Sequence, residues 1–222
     1  MTTRRAAQRD RTRDDIKHIA RQQMAEVGAA GLSLNAIARQ MGVAVSGLYR
    51  YYDSRDALVT ALIIDAFHAQ AAAMQAGADA PPRNAYQARM MGAMWGYRSW
   101  AVAHPAEFAL IYGSPIPGYV APADQTRPAA ARAMTVVYEV LNEAEAMGKL
   151  HAPADLPMPP KLLRETGVSL QVAYLGAVGW TRIHGHVTLE VFGHLDGLVT
   201  DLEAFYRAEC ATLMREGGLQ PD

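Results

Sequence analysis

A single cysteine, Cys210, stands in the 222-residue chain, so no intramolecular disulfide can form and a disulfide-stapled secreted scaffold is excluded. Strict alternation of apolar and polar residues is scarce, never lasting more than a few positions, which argues against sheet and for an all-α chain. Long apolar runs are missing too. The most apolar stretch, TGVSLQVAYLGAVGWT at 166–181, lies between Glu165 and Arg182 and is short for a bilayer span; it reads as a buried helix. No apolar segment follows the charges of MTTRRAAQRDRTRDD, so this stretch is not a signal peptide. Together these absences lead us to expect a cytoplasmic protein with no membrane partner. Catalytic signatures are absent as well: there is no G-x-S-x-G elbow, no Gly-rich phosphate loop and no H-E-x-x-H. His184 and His186 point to different faces of a helix, and no carboxylate or cysteine gives them or His194 a ligand spacing. No metal and no cofactor are therefore expected, Cys210 reads as a small apolar filler, and no internal repeat or low-complexity tract is present.

What is present is an ordinary globular balance, 50% hydrophobic and 19% charged, enough to bury a substantial core. The net charge of -1 is unevenly spread. Residues 1–60 hold ten Lys/Arg against six Asp/Glu, and residues 61–222 hold eleven against sixteen. A basic head on an acidic body points the head toward a polyanion. Arg4, Arg5, Arg9, Arg11 and Arg13 read as a solvated basic tail, with a minor-groove arm as the other reading.

Helical spacing organises the chain. Ile16, Ile19, Ala20, Met24 and Val27 share a stripe that ends at GAAG, 28–31. Leu34, Ile37, Ala38 and Met41 form a second, with Ser33 placed to cap it and Gly42 to stop it. A short helix fits 45–51, and a longer one begins at the DS of 53–54 and runs to about 76. Beyond GADAPPR at 77–83, further helices fit 84–103, 105–112, 127–148, 161–185 and 188–215, interrupted by two Pro-rich links.

Two short helices joined at a glycine, following one helix and preceding another, form a helix-turn-helix. Its second helix presents N-terminal residues to the DNA major groove. Here that helix opens with Val45, Ser46 and Gly47, small enough for close approach to base edges. Leu48 and Tyr52 face inward at i, i+4, which leaves Tyr49, Arg50 and Tyr51 with groups that reach phosphates or bases. Arg55 falls in the first turn of the next helix, where free N–H groups also favour a phosphate.

The stretch LSLNAIARQMGVAVSGLYRYYDSRDAL resembles the DNA-binding head of the TetR family of transcriptional regulators, over about residues 12–62. The rest resembles a TetR subgroup with a Trp…His-Gly signature, here WTRIHG at 180–185, with YRSWAVAHPAEFALIYG upstream at 97–113. The chain departs from the family where Ala44 and Gly47 replace residues that often carry hydroxyls, and where Arg55 replaces a frequent Lys. The resemblance implies DNA contacts at Ser33, Asn35, Val45, Ser46, Gly47, Tyr49, Arg50, Tyr51 and Arg55. It implies a helix-turn-helix head at 1–62, whose first eleven residues are the basic tail, and a body at 63–222 for effector binding and dimerisation. It also implies an effector pocket drawn from Trp95, Arg98, Trp100, Phe108, Tyr112, Met134, Tyr138 and Tyr174. Aromatic and methionine walls suit an apolar or aromatic small molecule, with Arg98 as one polar anchor. A homodimer through about residues 161–215 is implied too, with Ala173, Gly176, Ala177 and Gly179 permitting close helix approach. The expected function is that of a ligand-responsive repressor released from a palindromic operator. The competing reading is an all-α enzyme that binds a small molecule and has no affinity for DNA.

Overall fold

The computed structural model describes residues 2–151 and 167–222. Among these residues there is no strand, and the all-α expectation holds. The helices are α1 (Thr2–Val27), α2 (Leu34–Met41), α3 (Val45–Leu48), α4 (Arg55–Asp79) and α5 (Tyr86–Ala103), followed by α6 (Pro105–Tyr112), α7 (Ala123–Ala146), α8 (Leu170–Val191) and α9 (Leu202–Glu216). A 3-10 turn, Ala29–Gly31, follows α1.

The chain groups into two compact units. The first takes Met1–Phe67 together with His104–Ala129, and the second His68–Ala103 with Ala130–Asp222. The first unit closes around Ile16, Ala20 and Met24 of α1, Leu34, Ile37 and Ala38 of α2, and Leu58, Val59 and Leu62 of α4, with Leu110 of α6 joining them. Val27, placed by spacing on the α1 stripe, is 60% exposed, because the helix ends there and Gly28 turns away at φ 71°. Around this core Arg21 donates to Glu107 at 2.7 Å and to Asp65 at 3.1 Å, and Lys17 meets Asp65 at 2.8 Å. The basic N-terminal stretch is helical from Thr2 onward, and Arg4 and residues 6–11 are exposed.

In the second unit α4 and α5 approach backbone to backbone. A Cβ on Gly92 would collide with the Gly77 carbonyl, and one on Gly96 with that of Ala73, so only glycine fits at the crossing. The fully buried Arg89 of α5 donates to the carbonyls of Ala78 and Arg83 and pairs with Glu143 of α7 at 2.6 Å.

The last helices depart from their expected bounds. Residues 161–166, the start of the expected 161–185 helix, and most of the second Pro-rich link lie outside the described residues. The helix present begins at Leu170, where the Ser169 hydroxyl accepts from the Val172 N–H at 3.2 Å. It continues past 185 to Val191, so the break falls after that residue rather than near 186. Gly193 and Gly197, at φ 73° and 77°, carry the chain through a left-handed turn there, and Asp201 caps α9. α4 is long and apolar enough to cross a membrane by length and composition, with a mean hydropathy of 1.5, but half of its apolar window is buried inside the protein.

Candidate nucleic-acid interface and internal cavity

α2 starts and stops as its sequence dictates. The Ser33 hydroxyl accepts from the Ala36 N–H at 3.4 Å, and Gly42 sits at φ 68°, its N–H reaching the Ala38 and Arg39 carbonyls. The turn then delivers α3, which Leu48 (1% exposed) and Tyr52 (8%) hold against the core. The opposite side of this motif is a row of solvent-facing groups: Asn35 on α2, Ser46 on α3, then Tyr49 and Arg50. Around Gly47 there is open space, nothing lying within 4 Å of where a Cβ would stand. Val45 and Tyr51 are half-buried and pack on the core, and Ser33 is half-buried at its cap. Of the two tyrosines that bracket Arg50, Tyr51 therefore packs inward and Tyr49 projects. Arg9 of α1 reaches this segment through the Arg50 carbonyl, at 3.4 Å.

Arg55 is placed differently from the others. Its Nε donates to the Leu32 carbonyl at 3.0 Å, and its Nη2 donates to those of Ala29 and Ala30, each at 3.0 Å. Nη1 meets the Asp56 carboxylate at 3.4 Å. The guanidinium therefore faces the carbonyl-bearing end of the 3-10 turn and ties that turn to the start of α4. A lysine, with one nitrogen, could not reach all three carbonyls in this way.

The second unit contains a cavity of about 630 Å³ of unfilled space, its open mouth included. Met74 of α4 and Met90, Met94 and Tyr97 of α5 form one side. Met134, Val137 and Leu141 of α7 form another, and Leu175, Gly176, Gly179, Trp180 and Ile183 of α8 a third. Leu213 and Met214 of α9, then Gly217 and Leu219, close the ring. One polar cluster adjoins it. The Tyr97 hydroxyl lies 2.6 Å from His184 Nδ1, and the Trp180 and His184 rings stack at 4.7 Å and 9°. Burial holds His184 below the ordinary imidazole value, so the ring is kept neutral.

Of the residues expected in a pocket, Met134 lines the cavity, and Tyr138 lies beside it, covering Gly176: a Cβ there would be 2.5 Å from the Tyr138 ring. The others go elsewhere. Phe108 and Tyr112 belong to the first unit and pack ring to ring at 5.3 Å, with Phe67 5.9 Å from Tyr112. Arg98 is gripped by both carboxylate oxygens of Glu190, at 2.5 and 2.8 Å, and lies over the Trp95 and Tyr206 rings. Trp100 is buried, and Tyr174 is half-buried on α8; neither lines the cavity. Gly176 and Gly179, read from sequence as part of a helix-pairing surface, line the cavity instead, and Ala173 is buried with them. The wall residues Met90, Met94 and Tyr97 are not among those expected from the sequence, although their i, i+4, i+7 spacing on α5 is a signal that could find them; Met74 and Met214 carry no local signal.

A family model described as bacterial regulatory proteins of the tetR family matches residues 16–62, and one described as the tetracyclin repressor-like C-terminal domain matches residues 90–213. The HTH-type transcriptional regulator Rv1816 of Mycobacterium tuberculosis is 33% identical over 215 residues, covering 93% of this chain and 92% of its own. Among solved structures, the regulatory protein SCO4313 superposes with a TM-score of 0.78 at 30% identity, over 95% of this chain and 98% of that one. FadR of Bacillus subtilis, solved in complex with stearoyl-CoA, shares the fold at a TM-score of 0.68 and 15% identity, over 91% and 97% of the two chains.

Proposed function

This chain belongs to the TetR family of helix-turn-helix transcriptional regulators, and from that premise we propose that it is a cytoplasmic, homodimeric repressor released from a palindromic operator by a small molecule. The observation that carries the operator reading is the row Asn35, Ser46, Tyr49 and Arg50, solvent-facing on a motif whose other side is locked into the core. Arg50 supplies charge to phosphates or a bidentate pair to guanine. The open space at Gly47 lets the backbone approach a base edge. Ser33, Val45 and Tyr51 set the pose of these groups, and Arg55 acts as a positioning residue for the turn before α2 rather than as a phosphate contact.

The head, residues 1–62, is assigned to DNA, and residues 63–222 to effector binding and dimerisation. The cavity is the effector site, suited to an apolar or aromatic compound. Trp180 and His184-Gly185 support reading the chain as a member of the subgroup with that signature. Sensing rather than turnover fits the wall, which among the described residues bears no serine, threonine or cysteine and no carboxylate, its one hydroxyl being that of Tyr97, bonded to His184. Dimerisation through about 161–215 is supported by the exposed apolar side chains Leu189, Phe192, Leu198 and Phe205.

Footprinting on the DNA upstream of this protein's own gene tests the reading. Two protected half-sites with centres about 34–36 Å apart, or a multiple of that, are expected. Protection of one half-site by a monomer would refute the two-fold arrangement.

A further inference from the structure

We infer that the cavity of the second unit takes an uncharged, largely aliphatic ligand and rejects carboxylates and acyl-CoA thioesters. The inference rests on the reading of this cavity as the effector site. Five methionines, Met74, Met90, Met94, Met134 and Met214, form its wall. Unbranched thioethers re-pack around flexible hydrocarbon chains, whereas a flat aromatic ligand is better served by a rigid slot.

The polar groups at the wall are already engaged with each other. The Tyr97 hydroxyl is bonded to His184, whose other ring nitrogen lies 3.5 Å from the Thr188 hydroxyl. Trp180 stacks on the same imidazole. Among the described residues, none that lines the cavity is charged. The least exposed arginines of this unit, again among the described residues, are paired with protein carboxylates: Arg89 with Glu143, Arg98 with Glu190, and Arg182 with Glu209 and Glu216. An anion drawn into the cavity, whether a carboxylate or the phosphates of a CoA headgroup, would shed its hydration and meet neither a free cation nor a row of donors among the described residues, a penalty that apolar contact alone does not offset. An ester of the same chain length makes the same contacts without that penalty.

The test uses the full chain and three probes of one chain length: methyl decanoate, decanoate and decanoyl-CoA, at about pH 8, where a carboxylate of ordinary pKa is ionised. Thermal shift and displacement of a fluorescent probe should rank the ester first, by at least about thirtyfold in Kd over either anion. The Met134→Lys variant places a cation in the wall and should narrow or reverse that order. Equal binding of decanoate or decanoyl-CoA to the unmodified chain, or no binding of the ester, overturns the assignment. Operator release is read separately. An ester that binds but leaves DNA bound keeps the ligand class and refutes release by this site. Release by decanoate keeps the release reading and refutes the ligand class.

Discussion

The two compact units place their arginines differently. On the helix-turn-helix face, Arg39 and Arg50 stand in solvent, and among the described residues neither guanidinium has a hydrogen bond or ion pair. In the second unit Arg89 and Arg98 are withdrawn from solvent, each held by a carboxylate from a distant part of the chain. Solvated charge is cheap to keep free, and only a free cation can neutralise a phosphate. Buried charge has to be paired, and a paired cation cannot recognise a ligand without abandoning its partner. The contrast suits one unit to a polyanion and the other to a neutral molecule. The contrast belongs to the helix-turn-helix face and not to the whole first unit: Arg21 there is paired with Glu107 and Asp65, and Arg55 is committed to three backbone carbonyls.

The sharpest way to break this contrast is Arg98→Met. With Glu190 only 6% exposed at its side chain, removing its partner should cost about 3–5 kcal/mol of stability by chemical denaturation. The double change Arg98→Met with Glu190→Leu should recover most of that loss. A variant that keeps its stability and loses only ligand binding would restore Arg98 as an effector anchor.

Next in size is Gly92→Ala. Its new methyl meets the Gly77 backbone, which cannot swing aside like a side chain, so a loss of about 1–3 kcal/mol and a lower Tm are expected. An unchanged Tm would mean that the α4–α5 crossing can relax.

Arg55→Ala and Arg50→Ala should separate structure from recognition. Arg55→Ala removes bonds to three carbonyls and should lower stability by roughly 1–2 kcal/mol while leaving the salt dependence of DNA binding unaltered. Arg50→Ala should leave Tm alone and, if the residue neutralises a phosphate, flatten the salt slope by about one. Exchange of these two outcomes would make Arg55 the phosphate contact.

The smallest expected effect is in pH. Burial holds His184 and His186 below the usual 6.5, so the unfolded chain takes up protons first as pH falls through that value. The stability present above it is then lost as pH drops toward the folded values. Tm should fall between about pH 7.5 and pH 5.5, and less so in His184→Asn. An identical fall in the variant would assign the effect to other groups.

The helix-turn-helix was legible because its determinants are local. Ser33, Gly42 and the Leu34, Ile37, Ala38 stripe act within two helical turns of one another, and each does in the fold what its spacing implies. The cavity was only half legible. Its α5 stripe could be read off the chain, but that Phe108 and Tyr112 pack in the other unit depends on where α6 returns after α5. Gly176 shows the same limit, since a small residue on a helix permits close approach without specifying whose side chain approaches; here it is Tyr138.

By itself the sequence determined the all-α class, the capped turn of the DNA-facing motif and the inward pair Leu48 and Tyr52, since caps, glycine φ values and i, i+4 faces are settled within a few residues. Only the tertiary structure decided the partners of the long cations. A guanidinium binds whichever acceptors the fold brings within about 3 Å. For Arg55 these lie 23 to 26 residues away along the chain, and for Arg98 they lie 92 residues away.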